Sequence, residues 1–254
     1  MRATKLYATG DIRTVDVDAP SPAKNEILIM VEAAGICGTD RHLYHGEFPS
    51  VPDNILGHEF SGIVVDSGET DIAEGARVTC DPNTWCGACS QCQRGRVNLC
   101  INNLATGIHR DGGFAEFCVF PASKAVVLPD KINPLYGAFC EPLACTLHGM
   151  DMGAAQEGET VLVIGGGVIG LMALQLAKLA GAKVLLLTRS PEKQALGLKT
   201  GADYAVGSDS EVRDIWPEGA DLVVECAGVS ATVTLSHKLA RSGGRVVILG
   251  AVSY

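Results

Sequence analysis

The sequence predicts an α/β protein in two parts: a β-rich first half and a doubly wound parallel sheet in the second. Three observations carry this. The chain has 254 residues, more than the common size of one domain. Short apolar runs punctuated by Gly and Pro dominate as far as about residue 135, with no long 3.6-residue pattern among them. After about residue 150 strand and helix patterns alternate, opened by a glycine-rich strand–turn–helix. The expected domains are therefore 1–150 and 151–254.

Composition narrows the function. Hydrophobic residues make up 47% and charged residues 19%, enough for a sizeable core. The net charge of −9 and the absence of any basic run argue against nucleic acid as a partner, since phosphates need clustered Lys and Arg. The first residues lack the apolar stretch of a signal peptide. Residues 161–174 are apolar or Gly, but the run is too short to span a membrane and Gln175 and Lys178 follow it. A cytoplasmic protein without membrane contact is expected. Its ten cysteines then point to metal ligands or free thiols, not to disulfides.

In the first half, residues 26–33 are apolar and partly alternating, between Pro20-Ser21-Pro22 and Gly35. Residues 60–65, 77–80 and 114–119 have the same character, so a small barrel is expected. Between the first two runs lie Cys37-Gly38-Thr39-Asp40-Arg41-His42 and Gly57-His58-Glu59. Thiolate, imidazole and carboxylate form the mixed donor set that Zn²⁺ prefers. With few close-spaced ligands and a polar pair beside them, the pattern fits an open, catalytic site. A buried Cys and a surface His-Glu pair is the competing reading.

A second cluster, Cys86, Cys89, Cys92 and Cys100, has the spacing C-x2-C-x2-C-x7-C. Four thiolates close a structural zinc site and pin a loop with little apolar content of its own. An Fe–S cluster shares such spacings, and a disulfide pair is a third choice. The expected lobe covers about residues 80–102. Cys80, Cys118, Cys140 and Cys226 read as small core residues.

The second half opens with a strand at 159–164, then Gly165-Gly166-Gly167-Val168-Ile169-Gly170 and a helix to Ala180. This is G-x-G-x-x-G in the strand–turn–helix setting that receives a dinucleotide pyrophosphate at the helix N-terminus. Further units are expected: a strand at 183–187, a helix at 191–200, strands at 204–206 and 221–225, a helix at 231–240 and a strand at 245–249. The strand at 183–187 ends in Thr188-Arg189-Ser190, with no acid to hold a ribose 2′-hydroxyl. Hydroxyls and a guanidinium, with Lys193 just beyond, suit a 2′-phosphate, so NADP is expected over NAD.

In this order, the Cys37 to His42 and Gly57 to Gly62 motifs, the four-cysteine lobe, Asp111-Gly112-Gly113-Phe114-Ala115-Glu116, Glu141-Pro142-Leu143-Ala144 and the glycine turn carry a likeness. The chain resembles the zinc-dependent medium-chain alcohol/polyol dehydrogenases from near residue 1 to its end. The loop Asp66-Ser67-Gly68-Glu69-Thr70 is about two residues shorter than is usual in that family. The resemblance implies a GroES-like catalytic domain, a Rossmann domain and a cleft between them. It implies two zinc ions per chain, hydride transfer from a secondary alcohol to NAD(P), and a homodimer or homotetramer for the full-length form. Cys37, His58, Glu59 and Glu141 are the candidate ligands of the catalytic zinc, and Glu141-Pro142-Leu143-Ala144 resembles the polyol branch. Thr39 resembles the family's relay hydroxyl and His42 its outlet imidazole, a side chain suited to proton transfer near neutral pH. An L-threonine 3-dehydrogenase type is the alternative within the class. A non-catalytic dinucleotide-binding regulator is the alternative outside it. The second half offers five strands where a complete dinucleotide fold has six. The chain ending at Tyr254 is thus expected to lack C-terminal strands, retain zinc, bind cofactor weakly and turn over little.

Overall fold

The computed structural model describes residues 1–49 and 51–252, so the last two residues of the expected chain end, Ser253 and Tyr254, lie outside the described residues. The chain divides into two compact units, Met1–Glu141 and Pro142–Tyr254.

The first unit runs β1 (Arg2–Ala8), β2 (Asp11–Asp16), β3 (Glu26–Gly35), α1 (Gly38–His45), β4 (Asn54–Ile55), β5 (Glu59–Asp66), β6 (Arg77–Cys80), β7 (Asn83–Thr84), α2 (Ser90–Gln93), β8 (Leu104–Ala105), β9 (Phe117–Pro121), β10 (Ala125–Val127) and α3 (Pro134–Ala138). A five-stranded antiparallel sheet has the order β10-β6-β5-β3-β9, and a three-stranded one the order β2-β1-β4. An isolated bridge pairs Ala3 of β1 with Ala115, two residues before β9. Alternation in β3 sends Ile27 and Ile29 into a core with Phe60, Val64, Val78 and Phe120, while Met30 points outward. The last strand of this sheet lies later than the apolar run implies, at Phe117–Pro121 instead of 114–119. Phe114 is instead held by backbone bonds to Leu56 and Thr4, outside the sheet ladder. The helix α1 has no counterpart in the sequence reading. Its eight residues are mostly polar, and only Asp40 and Leu43 are buried, so no apolar stripe announces it.

Helix α4 (Cys140–Gly153) contains the boundary. The second unit continues with β11 (Thr160–Ile164), α5 (Val168–Leu179), β12 (Lys183–Leu187), α6 (Pro191–Lys199), β13 (Tyr204–Val206), α7 (Asp209–Ile215), β14 (Ala220–Glu225), α8 (Ser230–Leu239) and β15 (Ala240–Ile248). The strands are parallel in the order β13-β12-β11-β14-β15. Successive residues serve opposite faces: Val161, Val163, Val184 and Leu186 in one core, Leu162, Ile164, Leu185 and Leu187 in the other. Burial on both faces is why these strands read as continuous apolar runs. Two expectations are corrected here. α7 was not expected, and β15 begins at Ala240, five residues before the expected strand. Arg241 bonds Asp221 at 2.6 Å and carries the pairing back past the glycines Gly243 and Gly244.

No helix among the described residues is long and apolar enough to cross a membrane. All ten cysteines are free. Cys80 and Cys118 are buried and Cys226 packs against the second unit's core, whereas Cys140 is only half-buried at the start of α4 and is not a core residue.

Candidate metal and cofactor sites

Cys37, His58 and Glu59 come together: one sulfur, one nitrogen and one oxygen lie within 4.8 Å of one another. Short segments place them. Cys37 is the residue before α1, in extended conformation. Its backbone N–H donates to Asp40 Oδ2 at 2.8 Å, and its sulfur receives the backbone N–H and the hydroxyl of Thr39. His58 follows Gly57, whose φ of +96° and close fit against Phe114, where a Cβ would lie 2.4 Å from the ring, both demand glycine. The Asp111-Gly112-Gly113-Phe114 motif braces that segment. Asp111 accepts from the Ile55 N–H, Gly113 N–H donates to Gly57 and Phe114 N–H to Leu56, each at 2.8 Å. Glu59 begins β5 and pairs across the sheet with Gly35, where a Cβ would lie 2.4 Å from its carboxylate.

The electrostatics ask for a cation. Burial pushes the Cys37 thiol up to about 11, and the nearby Glu59 carboxylate adds to this. Burial also raises Glu59 and Asp40 above their ordinary range. Asp40 Oδ1 and His58 Nδ1 are both buried without a hydrogen-bond partner among the described residues and face each other at 3.7 Å. With Nδ1 turned to Asp40, His58 keeps Nε2 for a ligand, the carboxylate–histidine arrangement of zinc sites. A divalent cation would offset the crowding of acidic groups and favour the thiolate. The donor set therefore fits zinc with three protein ligands and an open fourth position. Glu141, the fourth candidate ligand, stands in the first turn of α4 and is not among the three residues of this group. Asp40 also borders a cavity of about 510 Å³ whose other walls include Ile36, Tyr44, Leu56 and Phe114.

The four sulfurs of Cys86, Cys89, Cys92 and Cys100 also lie within 4.8 Å of one another. Cys89 to Cys92 is 3.5 Å and Cys86 to Cys100 is 3.6 Å. A tetrahedron with Zn–S of about 2.3 Å has edges of about 3.8 Å, whereas a disulfide needs about 2.05 Å. The geometry selects a single ion over a disulfide, and a multi-iron cluster would hold the sulfurs further apart. Backbone N–H groups of Ala88 and Cys89 lower Cys86 to about 6, while burial pushes Cys92 up to about 12. Backbone N–H groups of Cys92 and Ile101 lower Cys89 as well, so the loop already favours thiolates at two of its positions before a metal is bound. Ion pairing also ties down the loop's entry: Lys124 lies 2.7 Å from Asp81 and 3.0 Å above the Trp85 ring, beside Cys86. Nothing in the sequence marked these three residues.

In the second unit the glycine turn joins β11 to α5 at the point where the strand order reverses, between β11 and β14. A Cβ on Gly170 would lie 1.9 Å from the Gly165 carbonyl oxygen, and Gly165 has φ of +106°. At Gly167, which precedes Val168 and Ile169 at the helix start, a Cβ would meet open space. That opening at the N-terminus of α5 fits a pyrophosphate. Thr188, Arg189, Ser190 and Lys193 follow β12 beside it: Thr188 and Lys193 are the side chains that a Cβ on Gly166 would meet, at 3.3 and 2.9 Å. Arg189 and Lys193 are exposed, and neither is in an ion pair among the described residues. Ser190 has a structural duty as well: its oxygen caps α6 by accepting the Lys193 N–H, and its hydroxyl donates to Glu192.

A β-rich unit that gathers a Cys-His-Glu triad and four cysteine sulfurs, each fit to hold zinc, followed by a parallel sheet with a glycine turn fit for a dinucleotide, has the make-up of a zinc-dependent dehydrogenase. Family models agree: residues 23–130 match the alcohol dehydrogenase GroES-like domain and residues 168–254 the zinc-binding dehydrogenase domain. The chain is 34% identical to a sorbitol dehydrogenase of Halalkalibacterium halodurans, over 96% of this chain and 74% of that protein. It is 34% identical to an L-threonine 3-dehydrogenase of Bacillus velezensis, over 92% of this chain and 71% of that protein. A structure from Sinorhizobium meliloti 1021, described as a zinc-binding dehydrogenase bound to NADP, superposes with a TM-score of 0.95 at 52% identity, covering 99% of this chain and 77% of that one. The chain belongs to the zinc-dependent medium-chain alcohol/polyol dehydrogenases, enzymes that use NAD(P).

Proposed function

We propose that the protein oxidises a secondary alcohol of the polyol or sugar-alcohol class, with NADP preferred over NAD. The observation that carries the reaction is the convergence of Cys37, His58 and Glu59, with Asp40 behind His58. When bound, zinc supplies a Lewis acid that acidifies an alcohol hydroxyl, and the nicotinamide supplies the hydride acceptor. The protein's own part is to hold these groups and to move one proton. Thr39, on the first turn of α1, holds the Cys37 sulfur and stands beside the reacting hydroxyl; His42, one helical turn on, takes the proton outward. Glu141 acts from outside the triad, through a water or a substrate hydroxyl. The cofactor preference rests on Arg189 and Lys193, two exposed cations at the end of a strand that carries no acid there, and the NADP-bound relative supports it.

The sorbitol dehydrogenase relative favours a polyol, and the L-threonine 3-dehydrogenase keeps a β-hydroxy amino acid as the second reading. The free thiols suit a reducing, cytoplasmic setting. The test is a panel of polyols and L-threonine, with NADP and NAD, followed by absorbance of the reduced cofactor, together with zinc content and dinucleotide titration. Polyol-dependent reduction of NADP at the higher kcat/KM is expected. A zinc-free protein that binds neither dinucleotide would overturn the reading.

A further inference from the structure

The end of α1 folds back on its own outlet histidine. Gly46 leaves the helix in the left-handed conformation, with φ of 71°. Its N–H donates to Leu43 at 3.1 Å, and the Glu47 N–H donates to the His42 carbonyl at 2.9 Å. These two bonds form the six-to-one and five-to-two closure that ends many helices. In such endings the residue after the glycine usually makes an apolar contact with the residue five before it. Here those two residues are Glu47 and His42, and the contact is polar: the His42 Nδ1 meets a Glu47 carboxylate oxygen. The next residue, Phe48, stacks on the imidazole with centroids 4.7 Å apart and planes 28° apart. Phe48 itself packs against the Leu6, Leu43 and Leu56 cluster. The strap is braced from outside, because a Cβ on Gly46 would lie 2.7 Å from Thr9 and the Gly10 N–H donates to Tyr44 at 2.7 Å.

We propose that Glu47 and Phe48 are positioning residues that set the tautomer and the plane of His42. This rests on His42 as the proton outlet. A carboxylate only accepts, so Nδ1 must carry the hydrogen that bonds to Glu47. The neutral ring is then left with its lone pair at Nε2, the nitrogen turned away from the strap. Free histidine favours the opposite tautomer, with hydrogen on Nε2, which cannot accept a proton there. Glu47 thus keeps the receiving atom empty before turnover. His42 takes a proton at Nε2, becomes a cation paired with Glu47, and releases that same proton to water, restoring its starting state. Phe48 keeps the ring from rotating out of line, and the side chain of His42 is only 19% exposed.

The test compares Glu47→Ala, Glu47→Asp and His42→Ala in the full chain, read by ring ¹⁵N NMR of His42, zinc content, and kcat and KM for the alcohol. In the parent protein the His42 ring is expected to show hydrogen on Nδ1. Glu47→Ala should shift it toward Nε2–H, lower kcat roughly tenfold, and leave KM and zinc content unchanged, on the scale of losing a partner that orients a catalytic imidazole. Glu47→Asp should restore part of both signals. An unchanged tautomer and unchanged kcat in Glu47→Ala, with His42→Ala impaired, would overturn the strap while leaving the outlet in place. A His42→Ala protein as active as the parent would overturn the outlet reading itself.

Discussion

Replacing Lys124 by Met tests whether the four-cysteine lobe is tied to the sheet beneath it. Lys124 sits just before β10, with a side chain only 8% exposed. Its ammonium pairs with Asp81 at 2.7 Å and lies 3.0 Å from the Trp85 ring centroid. Asp81 in turn accepts the Asn83 N–H at 3.0 Å, and its own N–H donates to the Lys124 carbonyl at 2.9 Å. Methionine keeps the apolar stem and removes the charge. The cation over a partly desolvated indole contributes roughly 1 kcal/mol. The charged hydrogen bond to Asp81, whose side chain is 44% exposed and so regains water, contributes roughly another 1. Lys124→Met should therefore cost about 2 kcal/mol, about a thirtyfold change in the folding equilibrium of this unit. A cycle with Trp85→Leu isolates the ring term, which should appear as about 1 kcal/mol of coupling. Urea unfolding followed by circular dichroism gives the energies. Zinc release to a chelator gives the local effect and should quicken, because Trp85 is the neighbour of Cys86. A loss under about 0.5 kcal/mol together with an unchanged release rate would refute the tie.

Four other outcomes follow from the geometry. Gly167→Ala should leave stability within about 0.5 kcal/mol yet weaken dinucleotide binding at least tenfold, since its Cβ meets only open space at the cofactor opening; a fluorescence titration with NADPH reads this. Gly170→Ala should cost about 3 kcal/mol or more by thermal melting, because its Cβ would lie 1.9 Å from a backbone oxygen. Cys89→Ser should reduce elemental zinc from two ions per chain to one and destabilise the first unit by several kcal/mol. Asp221 is held at about 2 by the Thr160 backbone N–H and by Arg241, below its ordinary 3.8. A lowered carboxylate stabilises the fold fully above its ordinary value and loses that contribution as pH falls through the folded one. The stability gap between the parent and Asp221→Asn should be widest above about pH 5 and close toward pH 2 in a urea series.

The parallel sheet was legible because both of its faces are buried, and such strands show as unbroken apolar runs between glycines. α7 also left a signal: Ser208 and Glu211 have the spacing of a capping box, and the Ser208 oxygen does accept the Glu211 N–H, at 3.4 Å. Only Val212 is buried in that helix, so periodicity was silent and the cap alone would have found it. The early return of β15 depends on Arg241 meeting Asp221, twenty residues away, which no local pattern records. The candidate ligand residues stood out for a different reason. Metal and phosphate chemistry restricts residue type at short spacing, so Cys86, Cys89 and Cys92 or Gly165, Gly167 and Gly170 are visible without a fold. Lys124, Asp81 and Trp85 use ordinary side chains joined by tertiary structure, and such groups have no sequence signature.

Asp40 shows why a short motif can specify a whole site. The same carboxylate accepts the Cys37 N–H through one oxygen and faces the His58 ring with the other. It therefore fixes one ligand that is three residues away and one that is eighteen away. Burial is what makes this effective: at 4% exposure a lone carboxylate is costly, so the arrangement that surrounds it with donors is strongly preferred. Because α1 is a helix, Thr39 at two steps and His42 at five steps from Cys37 are placed by the same backbone that places Asp40. Its glycine ending then turns Glu47 and Phe48 onto His42. On the proposed function, the run from Cys37 to Phe48 thus supplies a candidate ligand, the partner of a second one, the relay hydroxyl, the outlet and the outlet's support. The remaining requirement is that Gly57 bring His58 and Glu59 to meet it, which the contact of Gly57 with Phe114 secures.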